Sequence, residues 1–313
     1  ILISFKNKQN VSFAIIVSVL AIPILMALIL SPNLSYSSSS PSTANSMAHF
    51  NQTEAEIIPD KNPIVDILAN ELETRINKSG AILEITSRLP QVKSAPYASS
   101  ISSEFNGVPQ DVDMPKRQVA QDILDTDKDF EVIYFLMPNG DMYLEEPYSK
   151  QENLTRSNFA FRAYYIRALN SQDTYLGDVI ISASTGRPQT NIAVPMYSEE
   201  NNGTLVGVWA GGLNLTTLSN SLQSVNLTSS DERVVYLDQQ SQKIADSDSQ
   251  LLSRPNGTTL NESFADLHAF KNAINGESGS TTEIVNGTTM LVSYHPVKAF
   301  SNVWVVLFME PLR

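Results

Sequence analysis

The most chemically concentrated stretch of the chain is Asn158-Phe-Ala-Phe-Arg162-Ala-Tyr164-Tyr165. A guanidinium presents a planar fork of donors that suits a carboxylate, and two adjacent phenols can add aromatic walls. Arg162, Tyr164 and Tyr165 are therefore candidate ligand-binding residues. The competing reading is an arginine salt-bridged at the surface, with the tyrosines packed as core.

Enzymatic templates fit poorly. The sequence holds no G-x-x-x-x-G-K-[ST] phosphate loop, no G-x-S-x-G elbow and no H-E-x-x-H pair. Its three histidines, His49, His268 and His295, are not paired at ligand spacing, and there is no cysteine. Thiol catalysis, Cys-ligated zinc or iron–sulfur centres and a disulfide framework are thereby excluded. Asp125-Thr-Asp127-Lys-Asp129 begins like an EF-hand loop, but Phe130 stands where the turn needs Gly and Leu136 where it needs a bidentate Glu. It reads as a solvated acidic turn. Asp141, Glu145 and Glu146 read as charges at a hairpin edge. No metal and no cofactor are expected.

The elements that must position these residues follow from periodicity. Asn62–Leu89 repeats apolar residues at close to 3.6-residue spacing, with Pro63 at its start and Pro90 after it, and reads as one long helix. A short helix is expected around Lys116–Leu124. Glu131–Met137 and Met142–Glu145 read as strands about Pro138-Asn139-Gly140-Asp141, whose Asn-Gly is a strong hairpin signal. Phe159–Leu169 reads as a helix, Tyr175–Ser182, Asn191–Tyr197 and Leu205–Leu213 as strands, and Leu215–Val225 as a helix. The pattern then restarts: strands Arg233–Leu237 and Lys243–Ala245, helix Phe264–Ile274, strands Thr281–Val285 and Thr289–Pro296 about Asn286-Gly287, and a closing strand Val303–Met309. Antiparallel strands interrupted by helices define an α+β class with two similar lobes on one long helix.

Charge divides the chain. The net charge is −12, yet residues 1–30 carry only Lys6 and Lys8 and no acid, so the remainder holds 19 cations against 33 acids, a net of −14. That balance argues against nucleic acid as a partner. Val11–Leu30 is twenty residues without a charge, enough for a helix of about 30 Å and longer than the apolar region of about 7–15 residues in a cleaved leader. The expectation is a membrane helix with a cytoplasmic N-terminus and the bulk outside, following the cations that precede it. Ser31–Ser46 is a chargeless Ser/Pro-rich spacer. Beyond residue 30, ten Asn-x-Ser/Thr sequons, at Asn33, Asn51, Asn77, Asn153, Asn202, Asn214, Asn226, Asn256, Asn261 and Asn286, suit a glycosylated exterior. Without cysteine, that exterior fits a prokaryotic, archaeal or bacterial, cell surface.

The run Asn158–Tyr165, then Tyr175–Val179, Thr185-Gly186-Arg187-Pro188, Ala193-Val194-Pro195 and Gly207-Val-Trp-Ala-Gly211, resembles the double Cache (dCache) sensor domain of chemoreceptors and sensor histidine kinases. The likeness includes the long first helix, the Pro-Asn-Gly-Asp hairpin and the terminal Trp304-Val-Val strand. It implies PAS-like antiparallel-sheet lobes over residues 61–310: a stalk helix in 61–90, a membrane-distal lobe in 91–228 and a membrane-proximal lobe in 229–310. Before them would lie a cytoplasmic N-terminus (1–10), the membrane helix (11–30) and a linker (31–60).

In amino-acid-binding members an Arg-x-Trp-Tyr helix is paired with acidic residues that hold the ligand's ammonium. Arg162 and Tyr165 match and Tyr164 replaces the tryptophan, but Ser157 stands for an expected tyrosine, and Ile180, Ser182 and Gly212 fall at or beside the acidic positions. A buried ammonium without a carboxylate partner is costly, so this pattern disfavours an α-amino acid and favours a small carboxylate. Asp178 is the nearest acid. The resemblance thus implies ligand contacts from Arg162, Tyr164, Tyr165, Asp178 and Ser182, a homodimer through the first helix, and no enzymatic activity in this segment. A strand ending near Arg313 would feed a second membrane helix, with a kinase or methyl-accepting output beyond this chain. The rivals are an anchored extracytoplasmic hydrolase and a structural surface or adhesion protein.

Overall fold

The structure, a computed structural model, describes residues 63–198, 203–225, 227, 229–248 and 262–312. Residues 1–10, the apolar segment 11–30, the linker 31–60 and the sequons at Asn33, Asn51, Asn202, Asn226, Asn256 and Asn261 lie outside the described residues. Among the described ones, no helix is long and apolar enough to cross a membrane.

Helix α1 (Pro63–Ser87) runs 25 residues, about 37 Å at 1.5 Å per residue. It buries Val65, Leu68, Leu72, Ile76 and Leu83 in a single core with residues of both sheets, Trp209 and Trp304 among them. Its approach is close: a Cβ on Gly80 would lie 2.1 Å from the tip of the Phe300 ring, so any larger residue there requires that ring to move.

After α1 come α2 (Met114–Thr126) and the hairpin β1 (Phe130–Leu136)–β2 (Met142–Glu146), then α3 (Tyr148–Glu152), α4 (Ala163–Ser171) and four strands: β3 (Tyr175–Leu176), β4 (Ile180–Ile181), β5 (Pro188–Tyr197) and β6 (Leu205–Leu213). The first sheet is antiparallel in the order β2-β1-β6-β5-β3, with β4 also on β5. Helix α5 (Leu215–Leu222), capped by the Asn214 side chain accepting from Thr216 and Thr217 N–H, leads to β7 (Arg233–Leu237), β8 (Lys243–Asp246), α6 (His268–Ile274), β9 (Gly279–Val285), β10 (Thr288–Ala299) and β11 (Asn302–Pro311). The second sheet runs β8-β7-β11-β10-β9. Alternation along the strands sends one face of each sheet to the α1 core and the other to a smaller cluster, under α4 in the first sheet and under α6 in the second. The mixed helix and antiparallel-sheet architecture expected from the sequence is present, with two sheets.

Three differences have local causes. Helix α4 begins at Ala163 rather than Phe159, because Phe159 N–H donates to Gly140 O and Ala160 N–H to the Asn158 side chain, tying that segment to the β1–β2 turn. The expected strand over Tyr175–Ser182 splits into β3 and β4, because Val179 N–H leaves the sheet to donate to Asp238 Oδ2 at 2.9 Å. Asp127 and Asp129 are not solvated. Both are buried against α1, where Asp127 meets Lys78 at 2.8 Å and Ser79 Oγ at 2.9 Å, and Asp129 binds Arg75.

Candidate ligand-binding site

Between the outer face of the first sheet and α4 lies a polar cavity. Tyr134 on β1, Glu145 on β2, Gln189 and Asn191 on β5, Arg162 and Tyr164 at the start of α4, and Ile180, Ser182 and Ser184 around β4 all line it. The space between its walls and across its open mouth is ≈ 320 Å³. The cavity proper is small, ≈ 30 Å³, so a ligand larger than about two waters must displace a wall.

Arg162 occupies the N-cap position of α4 with an extended backbone, φ −70° and ψ 133°. Its Nη2 donates to Ile181 O at 3.0 Å, while Nε is buried and without a partner. Tyr164, two residues further on, lines the cavity and packs edge-on against Tyr134 with ring centroids 6.3 Å apart. Burial pushes the Tyr164 hydroxyl up to about 12, and that of Tyr134 well above the ordinary phenol value; both remain hydrogen-bond donors at neutral pH. Tyr134 OH and Gln189 Nε2 each donate to Asn191 Oδ1 at 2.9 Å. Gln189 Oε1 has no partner.

Glu145 is the group that sequence reading misplaced. It is buried, 2% exposed, and turned into the cavity rather than standing at a hairpin edge. Ser184 Oγ donates to its Oε1 at 3.0 Å, and Oε2 has no partner. Glu146 is equally buried and bonds Arg117 at 2.6 Å. The signal for Glu145 was available, since the β1–β2 register sets it directly opposite Tyr134. A carboxyl in the cavity also removes the premise on which an ammonium-bearing ligand was disfavoured.

Of the five residues expected to touch ligand, Arg162, Tyr164 and Ser182 share this cavity. Tyr165 does not line it; its hydroxyl donates to Pro138 O at 2.8 Å, anchoring α4 to the β1–β2 turn. Successive helical residues diverge by about 100°, so Tyr164 and Tyr165 could not both face one cavity. Asp178 also lies elsewhere, accepting from Gln239 Nε2 at 2.8 Å across to the second lobe.

Two sheets of one strand order on one long helix, the first holding a polar cavity under a helix, define a two-lobed module. The Cache-domain (dCache) family model matches residues 50–312, and the chain belongs to that family. No curated protein sequence matches the chain. Among solved structures, it is similar to the ligand-binding domain of the amino acid chemoreceptor PctB of Pseudomonas aeruginosa in complex with L-Gln, with TM-score 0.53, 16% identity, and 80% of this chain and 88% of that one covered. The ligand-binding domain of chemoreceptor CtaA of Pseudomonas fluorescens, in complex with L-isoleucine, gives TM-score 0.53 and 17% identity over 80% and 90%. An extracellular domain assigned to the histidine kinase rpHK1S-Z16 gives TM-score 0.60 and 14% identity over 80% and 93%. At such identities the likeness speaks for the fold.

Proposed function

We propose that this chain is the extracellular sensor segment of a signal-transduction receptor, without enzymatic activity of its own, whose membrane-distal lobe binds a small molecule carrying a carboxylate. One observation carries the reading: three buried polar atoms without partners, Arg162 Nε, Glu145 Oε2 and Gln189 Oε1, all belong to side chains of one cavity. Buried polar groups are ordinarily paired, so their convergence marks a surface shaped for a polar occupant. The amino-acid complexes of PctB and CtaA support the ligand's size class. Arg162 would hold the carboxylate, Tyr164 would wall it, and Ser182 would donate from the β4 side.

The mechanism follows from how the cavity wall is tied down. Arg162 grips Ile181 O, so a carboxylate taking the guanidinium competes for that hold on the wall. The same segment is bound on its other side to the second lobe, through Val179 N–H to Asp238 and Asp178 to Gln239. Occupancy of the first lobe therefore bears on the second and on α1, and the ligand shifts the equilibrium by its differential affinity for the two arrangements. In this reading residues 11–30 anchor the chain in the cell membrane with the N-terminus cytoplasmic, the sensor acts as a homodimer, and the kinase or methyl-accepting output lies outside this chain.

Thermal unfolding of the whole chain against organic acids, amines, purines and amino acids tests the reading. A carboxylate present at about 100 times its Kd should stabilise by about 2.7 kcal/mol, and the gain should vanish in Arg162→Ala. A stabilising ligand that acts equally on Arg162→Ala would remove the site assignment.

A further inference from the structure

The burial of its lining shows where the first-lobe cavity opens. Val132, Tyr134, Glu145, Gln189 and Asn191 are buried, whereas Arg162, Ile180, Ala183 and Ser184 are half-buried, so the mouth lies between the start of α4 and the β4 segment. Exposed apolar side chains gather there. Phe161 (53% exposed), Ile166 (43%) and Ile181 (48%) are three of the nine large exposed ones among the described residues, and each is tied to Arg162. The guanidinium carbon lies 5.2 Å from the Phe161 ring centre, Nη2 donates to Ile181 O at 3.0 Å, and Ile166 N–H donates to Arg162 O one turn along α4. Arg156 lies over the same ring at 4.9 Å, and neither arginine is in an ion pair among the described residues. A scattered exposed isoleucine needs no explanation; three large apolar side chains grouped about one arginine at a cavity mouth do.

We propose that this rim is the subsite for the ligand's apolar body, and that the ligand is an amphiphilic carboxylate, with its head on Arg162 and an alkyl or aryl body outside the mouth against Phe161 and Ile181. The inference rests on the proposed function and deepens it. Size decides between inside and outside. The cavity proper, ≈ 30 Å³, has room for about two waters, enough for a carboxylate head and little else. A larger acid enters whole only by displacing a wall, and keeping its body at the mouth avoids that cost. What the body meets there is apolar. Phe161, held between its contacts with two guanidiniums, is in place before a ligand arrives, which lowers the cost of ordering it. Glu145 lies deeper, 2% exposed, and burial raises its carboxyl to about 7, so below that pH the incoming head meets it uncharged.

Isothermal titration of the whole chain at about pH 6 tests this with acetate, butyrate, hexanoate, octanoate and phenylacetate, beside the uncharged octanamide. Affinity should rise about twofold per methylene, less than the roughly fourfold of full burial, because one side of the chain stays in water. Octanamide should bind at least about tenfold more weakly than octanoate. Replacing the two exposed rim residues together, Phe161→Ser with Ile181→Ser, should cost octanoate about tenfold and butyrate less than about threefold, while Arg162→Ala should weaken every acid. Affinities that stay flat along the series yet depend on Arg162 would overturn the apolar subsite and leave the carboxylate sensor standing. A rise along the series that the double variant leaves unchanged would overturn it too, as would octanamide binding as tightly as octanoate. Failure of the whole series beside a stabilising amino acid in the thermal screen would sink the amphiphile alone; failure of both would sink the sensor reading itself.

Discussion

The two lobes share a strand order and differ in what their outer faces carry. In the first, Tyr134 lies between Glu145 and Ala210, and Asn191 lies opposite Gly212. In the second, the same places hold Val235 between Asp246 and Leu307, and Val292 opposite Met309. Alanine and glycine leave room that leucine and methionine fill, and tyrosine and asparagine become valines. Gly212 also makes space for Gln189, whose Nε2 would lie 1.5 Å from a Cβ there. The acids differ in company. Glu145 is without a cation, whereas Asp246 is held by Arg233 at 2.6 Å and by Lys243 at 3.3 Å, with Glu262 joining both cations. One scaffold thus supports a core or a site according to side-chain volume and the pairing of one acid.

The sharpest way to break that contrast is to unpair the second lobe's acid. Arg233→Met would leave Asp246, fully buried, and Glu262 sharing Lys243 alone. Removing one member of a buried ionic cluster strands charge in a low dielectric, and a loss of about 4 kcal/mol is expected. Glu262 adds a pH signature. Burial alone would raise its carboxyl, but the bonds from Arg233, Asn286 and Lys243 hold it down at about 2. Its stabilisation is therefore present above the ordinary carboxylate range and lost as pH falls through about 2, and the Arg233 variant should lose stability at a higher pH. Urea titrations from pH 2 to 7 decide this; unchanged midpoints would mean that the cluster contributes nothing.

The first lobe should show the opposite sign. Glu145 is raised above its ordinary value by burial, to about 7. Its protonated form costs nothing below about pH 4.5, and stability is lost as pH rises through about 7, by up to about 3 kcal/mol. Glu145→Gln should erase this slope, so that variant and parent converge at pH 4.5 and diverge by pH 8. Parallel pH profiles would show that Glu145 does not titrate as a buried acid.

The contrast between lobes was half visible in the chain itself. The two Asn-Gly turns, the paired strands around them and the restart of the pattern at Arg233 exposed the doubled architecture, because hairpins and amphipathic periods are local signals. The site needed more. Arg162 and Tyr164 could be found from their types and spacing, but separating Tyr164 from Tyr165 required the phase of α4, which Asn158 sets by delaying the helix to Ala163. Glu145 needed strand register rather than composition. Asp127 and Asp129 are consumed by α1 residues about fifty positions away, a pairing that no local pattern encodes.

A milder substitution converts one first-lobe position to its second-lobe counterpart. Asn191→Val, copying Val292, removes the acceptor shared by Tyr134 OH and Gln189 Nε2. The added apolar contact offsets part of the loss, and the two stranded donors leave a net cost of about 2 kcal/mol together with a weakened ligand response. A variant as stable as the parent would indicate that the polar network is no more demanding than the second lobe's packing, and that the two faces are interchangeable.

The smallest effect concerns where the site ends. Tyr165 sits beside Tyr164 in sequence, yet its hydroxyl bonds Pro138 O and Met137 O rather than entering the cavity. Tyr165→Phe keeps the ring in its cluster under α4 and deletes those two contacts. A cost of about 1 kcal/mol is expected, with ligand affinity unchanged, since Arg162 does not rely on that hydroxyl. Tyr164→Phe, by contrast, removes a hydroxyl from the cavity and should weaken binding. The pair of single-atom deletions on consecutive residues separates a side chain that holds the helix from one that lines the cavity. Equal losses of affinity in both would place the site's boundary beyond the cavity wall drawn here.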